Sequence, residues 1–173
     1  MKRINIIQGE IAVADTPDTV ISTLLGSCVA VCLHDGTARL GGMNHFLLGE
    51  PGGGDAIPLH EMQRYGIHAM ELLINGLMAK GAVRHRLKAH LYGGANMITG
   101  LGPIGSANAA FAERFMRTEG IPIGLKDLGG ASARRVEFMP FEGRSRCSKV
   151  ADRVPTVAAK PVVPAGGGEL ELF

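Results

Sequence analysis

Residues 9 to 48 consist of short Val, Ile, Leu and Ala runs broken by Asp15-Thr16-Pro17-Asp18, Asp35-Gly36 and Gly41-Gly42. Apolar runs of that length between turn-forming residues read as strands, so the first part of the chain must build sheet. From about Leu59 to Lys80 the period changes. Met62, Tyr65, Ala69, Leu72, Leu73 and Leu77 fall on one helical stripe, and Gly81 supplies the stop. Leu87 to Tyr92 reads as a buried strand ending in Gly93-Gly94, and a second helix is expected from about Ser106 to Thr118. Ile121 to Leu125, Arg134 to Phe141 and Ser145 to Val150 are expected strands. The 25 glycines are clustered rather than periodic, which calls for tight turns and close backbone approach.

A chain of 173 residues fits one domain, and 46% apolar residues suffice for a core. The expected class is α+β: a β-rich, layered α/β sandwich over residues 1–150. The stretch from 151 to 173 differs. Its prolines and Gly166-Gly167-Gly168 predict a flexible tail ending in Glu169-Leu170-Glu171-Leu172-Phe173. A net charge of +2 argues against nucleic acid as the main partner. No uncharged apolar run approaches the roughly 20 residues of a membrane span, and no stretch resembles a signal peptide, so a cytoplasmic protein without membrane insertion is expected. Three cysteines in such a chain argue against a disulfide framework.

The chemistry concentrates in Gly26-Ser27-Cys28, which opens an apolar run, and in Gly42-Met43-Asn44-His45-Phe46 downstream. A hairpin loop at Gly36-Thr37, or over Asp35 to Ala38, sets Asp35 against Ala38 and Cys28 against His45. An Asp35-Gly36 loop sets Cys28 against Met43 instead, with His45 diagonal. Both registers keep thiol and imidazole on one side of the sheet. A thiol is only slightly ionised at neutral pH, so an imidazole that takes its proton makes it a nucleophile. A third group must hold the imidazole's tautomer. Ser22 shares the parity of Cys28 if the strand stays regular through the turn, and Thr23 is the other hydroxyl in reach. Backbone N–H groups around Ser27 and Cys28 are the expected oxyanion donors, at roughly 3–4 kcal/mol per donor.

Other motifs carry less. Cys32 reads as core, because a Cys-x-x-x-Cys metal site needs more ligands than the nearby His34. The glycine-rich segments Gly93 to Met97 and Gly100 to Gly105 lack the residues of a phosphate loop or dinucleotide fingerprint, so they read as turns at a site rim. Between Arg134 and Arg153, six cations (Arg134, Arg135, Arg144, Arg146, Lys149, Arg153) form a strip able to meet an acidic protein surface.

Leu25-Gly26-Ser27-Cys28-Val29-Ala30-Val31-Cys32-Leu33, with Gly42-Met43-Asn44-His45-Phe46-Leu47-Leu48, resembles the CheD family of chemoreceptor glutamine deamidases. Tyr92-Gly93-Gly94-Ala95, Ile104-Gly105-x-x-Asn108 and Asp127-x-Gly129-Gly130 follow in the family's order. The resemblance implies an α/β sandwich with a papain-like Cys–His site that hydrolyses receptor glutamines to glutamate and ammonia, without metal or cofactor. Its nucleophile falls on Cys28 and its base on His45. Its third member, a threonine six residues before the cysteine, falls on Ser22, which leaves that role between Ser22 and Thr23. The implied partners are methyl-accepting chemotaxis receptors and, in some systems, a CheC-type phosphatase. A non-catalytic adaptor binding both is the competing expectation.

Overall fold

The computed structural model describes residues 1–48, 59–97 and 103–150. The expected loop at Pro51 to Asp55 and the tail from 151 onward lie outside them. Nine strands and two helices follow in the order β1 (Lys2–Asn5), β2 (Ile11–Ala14), β3 (Thr19–Leu25), β4 (Val29–Asp35), β5 (Leu40–Asn44), α1 (Leu59–Ala79), β6 (Leu87–Gly93), α2 (Ile104–Glu119), β7 (Ile123–Leu128), β8 (Arg134–Met139) and β9 (Arg144–Lys149). A single 3₁₀ turn, Arg84–Arg86, precedes β6. Among the described residues, no helix is long and apolar enough to cross a membrane.

The strands divide into a four-stranded sheet, β1-β3-β8-β9, and a five-stranded sheet, β2-β5-β4-β6-β7. Side-chain alternation on β4 explains the layering. Val29, Val31 and Leu33 face the helices, packing with Met70, Leu73, Ile74 and Leu77 of α1 and Phe111, Phe115 and Met116 of α2. Ala30 and Cys32 face the other sheet, packing with Ile21 and Leu25 of β3 and Val136 and Phe138 of β8. A strand covered on both faces carries a near-continuous apolar run, as Val29 to Leu33 does. The protein is therefore an α+β sandwich of three layers: sheet, sheet, helices.

The first helix matches its expected span, but the buried stripe runs through Met70, Leu73, Ile74 and Leu77, with Tyr65 63% and Leu72 44% exposed. Those two lie on the flank of α1 beside a surface cavity described below. Gly66 is the close-approach point of α1 and α2: a Cβ there would lie 2.5 Å from the Phe111 ring. Gly120 ends α2 in the left-handed conformation, φ 70°. Strand β1 was not legible because Lys2-Arg3-Ile4-Asn5 is mostly exposed; it adds to β3 as a parallel edge strand.

The β4–β5 connection corrects the expected register. Asp35 faces Leu40, so the loop is Gly36 to Arg39, and Arg39 takes φ 53°. Asp35 fixes this loop by accepting from the Thr37 and Ala38 N–H groups at 3.0 and 3.1 Å. Its other oxygen accepts from Val83 N–H at 2.8 Å and pairs with Arg86 at 2.9 Å. These donors hold the carboxyl well below the usual carboxylate range despite its burial.

Candidate active site

Cys28 stands at the entrance of β4, a central strand, and His45 just beyond the end of β5. Val29 and Phe46 form a bridge with reciprocal hydrogen bonds of 3.0 and 2.9 Å. That places Leu47 opposite Cys28, so Cys28 and His45 are not directly opposed as the Gly36-Thr37 or Asp35 to Ala38 loop would have it. Nor is Cys28 opposite Met43 as the Asp35-Gly36 loop would have it; His45 is diagonal to Cys28. The register is displaced by an even number of residues, and parity survives. Thiol and imidazole stay on the inter-sheet face as diagonal neighbours, with Cα atoms about 7–8 Å apart, a gap an aromatic side chain spans.

A hydroxyl reaches His45 from the opposite sheet. Thr23 Oγ1 lies 2.7 Å from His45 Nδ1, and the same hydroxyl donates to the Ile6 carbonyl at 2.7 Å. A hydroxyl has one proton, so with that proton on Ile6 it accepts from Nδ1–H. Nε2 is then the unprotonated nitrogen, as a base toward a thiol requires. The imidazole's partner is thus Thr23 rather than Ser22, the hydroxyl to which parity with Cys28 pointed. The physical reason is the change of sheet at Gly26 to Cys28. Parity carried through that turn as if β3 and β4 were one strand does not hold, because the odd residues of β3 and the even residues of β4 face each other. Ser22, buried on the other side of β3, sits between Asn5 and Glu137 in the register.

Burial pulls the His45 pKa down from 6.5 to about 4, against the opposing pull of the Glu10 carboxylate. The imidazole is neutral at neutral pH. Between pH 6.5 and 4 the unfolded chain binds a proton here that the folded chain does not, so stability falls as pH drops through that window. The loss between pH 7 and 4.5 amounts to about 2–3 kcal/mol, or roughly 5–10 °C in melting temperature. Half-buried His90, also lowered by burial, adds with the same sign. Melting curves of wild type and His45→Gln at the two pH values check this: the variant should lose less.

The turn over Gly26 to Cys28 is held by its carbonyls. Gly26 O accepts from Ala95 N–H at 3.1 Å and Cys28 O from Gly94 N–H at 2.8 Å. Ser27 O accepts from Asn108 Nδ2 at 2.8 Å. In a trans peptide the N–H points opposite to its C=O. The Ser27 and Cys28 N–H groups therefore point away from Ala95 and Asn108. Gly93 makes this approach possible: it holds φ 112°, and a Cβ on it would lie 2.3 Å from Cys28 O.

Asn108, 1% exposed, also accepts from Leu48 N–H at 3.1 Å, tying the chain beyond His45 to the turn before Cys28. Gln8 touches Cys28 directly, Oε1 lying 3.8 Å from Cys28 Sγ. The residues alone assigned neither a role. Asn108 stood only in the family motif Ile104-Gly105-x-x-Asn108, which gave it no role, and Gln8 lies on the turn between the unforeseen β1 and β2. A cavity of about 220 Å³ opens beside His45, lined by Gln8, Gly9, Glu10, Tyr65, His68 and Leu72 among others.

The remaining candidates separate from this site. Cys32 is buried core, and burial raises its thiol pKa. His90 and Tyr92 share Ser145 Oγ, each at 2.6 Å, between the sheets. The basic strip is partly consumed. Arg134 points inward, 2% exposed, bonding Asp127 and the Gly93 and Gly129 carbonyls, while Arg146 pairs with Glu137. Arg153 lies outside the described residues.

Comparison with known proteins gives the family of the chain. The family model described as CheD chemotactic sensory transduction matches residues 47–149. A Zymomonas mobilis protein named "Probable chemoreceptor glutamine deamidase CheD" is 51% identical over 172 residues, 99% of this chain and 93% of its own. A protein of the same name from Caulobacter sp. strain K31 is 52% identical, with 99% of this chain and 93% of its own covered. Among solved structures, a Neisseria meningitidis protein of the DUF152 family covers 70% of this chain and 52% of its own, at TM-score 0.41 and 13% identity. With half of its residues shared with such relatives over nearly its full length, the chain belongs to the CheD family.

Proposed function

We propose that this protein deamidates glutamine side chains of chemoreceptors with Cys28 as nucleophile, His45 as general base and acid, and Thr23 as the group that holds the imidazole. The observation that carries the reading is the Thr23–His45 hydrogen bond, which leaves Nε2 basic on the face Cys28 shares. The relatives' names supply the substrate class.

His45 Nε2 takes the thiol proton, and the sulfur's electron pair forms a bond to the substrate carboxamide carbon. The carbonyl π electrons move to oxygen, which the Ser27 and Cys28 N–H groups meet. Collapse breaks the C–N bond, and His45 hands its proton to the leaving nitrogen, releasing ammonia. Water, deprotonated by His45, then opens the thioester to glutamate and restores the thiol. Every group in this sequence belongs to the chain, the substrate or water. The cavity beside His45, flanked by exposed Tyr65 and Leu72, offers apolar contact to the polypeptide around the target glutamine.

Incubation of wild type and Cys28→Ala with a recombinant receptor cytoplasmic fragment, followed by peptide mass spectrometry, tests the reading. Conversion of glutamine to glutamate by wild type alone is expected. Receptor binding without conversion by either protein would instead favour an adaptor, and binding of a CheC-type phosphatase would then be the next assay.

A further inference from the structure

We propose that Gln8 is a further catalytic residue, its side-chain carboxamide donating to the oxyanion that forms beside Cys28; this rests on the deamidase reading above. Gln8 is exposed, yet its terminal oxygen lies 3.8 Å from Cys28 Sγ. Its backbone is fixed. Glu10 N–H donates to Ile7 O at 3.0 Å, and Ile7 N–H donates to the Glu10 side chain at 2.9 Å, closing a turn over Ile7 to Glu10. Gly9, at φ 90°, donates to His45 O at 2.8 Å, and His45 N–H donates to Glu10 O at 3.2 Å. The turn that carries Gln8 is thus bonded on both sides to the backbone of the general base. A surface glutamine tethered in this way keeps its amide at the thiol.

The two ends of a carboxamide are nearly isosteric, and rotation about the last torsion exchanges acceptor for donor. Toward the resting thiol, Oε1 accepts. When the thiolate attacks, negative charge leaves sulfur and develops on the substrate oxygen, one bond beyond the carbon the sulfur has joined. A donor beside the sulfur then stands where that oxygen forms, and Nε2 presents two N–H groups to it. Oxyanion donors act at about 2.7–3.1 Å from that oxygen, a separation the Gln8–Cys28 contact permits. The Ser27 and Cys28 N–H groups approach from the nucleophile turn, whereas Gln8 approaches from the turn bonded to His45, so the oxyanion would be held from two elements. Glu10, two residues on, carries the charge that His45 feels. A neutral amide at position 8 adds no second anion there.

Steady-state deamidation of the receptor fragment by wild type, Gln8→Ala and Gln8→Glu tests this, alongside the rate at which iodoacetamide alkylates Cys28. Expected for Gln8→Ala is a kcat loss of about 10²-fold, with KM nearly unchanged. Gln8→Glu should lose more, because its carboxylate faces the developing oxyanion. The alkylation rate of Gln8→Ala should match wild type, since alkylation forms no oxyanion. A kcat for Gln8→Ala within about threefold of wild type overturns the assignment. Alkylation falling in step with kcat overturns it too, making Gln8 a positioning residue for the thiol. So does a peptide mass with glutamate at position 8 in wild type but glutamine in Cys28→Ala, which would make Gln8 an internal substrate. Wild type that converts no receptor glutamine removes the deamidase reading itself, and the Gln8 role falls with it.

Discussion

Replacing Cys28 by alanine is expected to abolish conversion of receptor glutamine, and His45→Gln to lower its rate by ~10⁴-fold or more. The size of the second loss follows from the electrostatics of the pair. A thiol with an ordinary pKa near 8.5 is only a few per cent ionised at neutral pH, so the reaction depends on a base that is both neutral and correctly aimed. Burial keeps His45 neutral down to about pH 4, and Thr23 fixes its free nitrogen. Glutamine at position 45 can neither take the thiol proton nor return it to ammonia. The double variant should be no slower than the worse single one, because both residues serve one proton transfer. Rates on the receptor fragment, with melting curves to show that each variant folds, check this. Additive losses would mean that the two residues do not act as a unit.

The same geometry separates Thr23 from Ser22. Thr23→Val keeps the shape but removes the acceptor for Nδ1–H, so kcat should fall by about 10–100-fold, whereas Ser22→Ala should stay within about threefold of wild type. The sequence left these two hydroxyls unresolved for a definite reason. Side-chain alternation reports which residues share a face only while the strand continues. At Gly26 to Cys28 the backbone leaves one sheet and enters the other, so counting from Cys28 back to Ser22 crosses a discontinuity invisible to a period of two. The Cys28–His45 relation was more robust. The loop is Gly36 to Arg39 rather than either expected turn, yet the shift is even, and an even shift moves partners along the strand without turning them to the other face.

Legibility elsewhere followed burial. Buried β4 and β6 and helix α1 announce themselves through apolar periodicity. β1 does not, because it is a polar edge strand paired in parallel with β3, and long-range parallel pairing leaves no local turn signal. Gln8 enters the site on the Ile7 to Glu10 turn, which β1 on β3 and β2 on β5 together set against His45. Its place was therefore unreadable even though Cys28 was evident. The three-layer arrangement was anticipated as a layered α/β sandwich, and Met62, Ala69, Leu73 and Leu77 of the expected α1 row do pack on the core, but Tyr65 and Leu72 do not. Tyr65 and Leu72 belong to the same apolar row in sequence as Leu73 and Leu77, yet they stay exposed and line the cavity beside His45.

Asn108→Ala is expected to give the largest loss of stability among single changes near the site that leave the backbone untouched. The side chain is 1% exposed and ties together, from α2, the segments on either side of the Val29–Phe46 bridge. Its Nδ2 satisfies the Ser27 carbonyl at 2.8 Å and its Oδ1 the Leu48 N–H at 3.1 Å. Alanine leaves both backbone groups without that partner, at about 1–3 kcal/mol each, with a void added where the carboxamide stood. A total of about 3–5 kcal/mol corresponds to roughly 10 °C or more in melting temperature for a domain of this size. Asn108→Asp separates stability from positioning. It keeps an acceptor for Leu48 but sets a carboxylate oxygen against the Ser27 carbonyl, so the turn before Cys28 loses its anchor while the chain after His45 keeps one. Its kcat should fall more than its KM rises, and the Cys28 alkylation rate should change with kcat, as it should not for Gln8→Ala. Asn108→Ala melting within a degree or two of wild type would show that the turn is held by Ala95 and Gly94 alone. In that case the helix α2 would serve the site only as a wall.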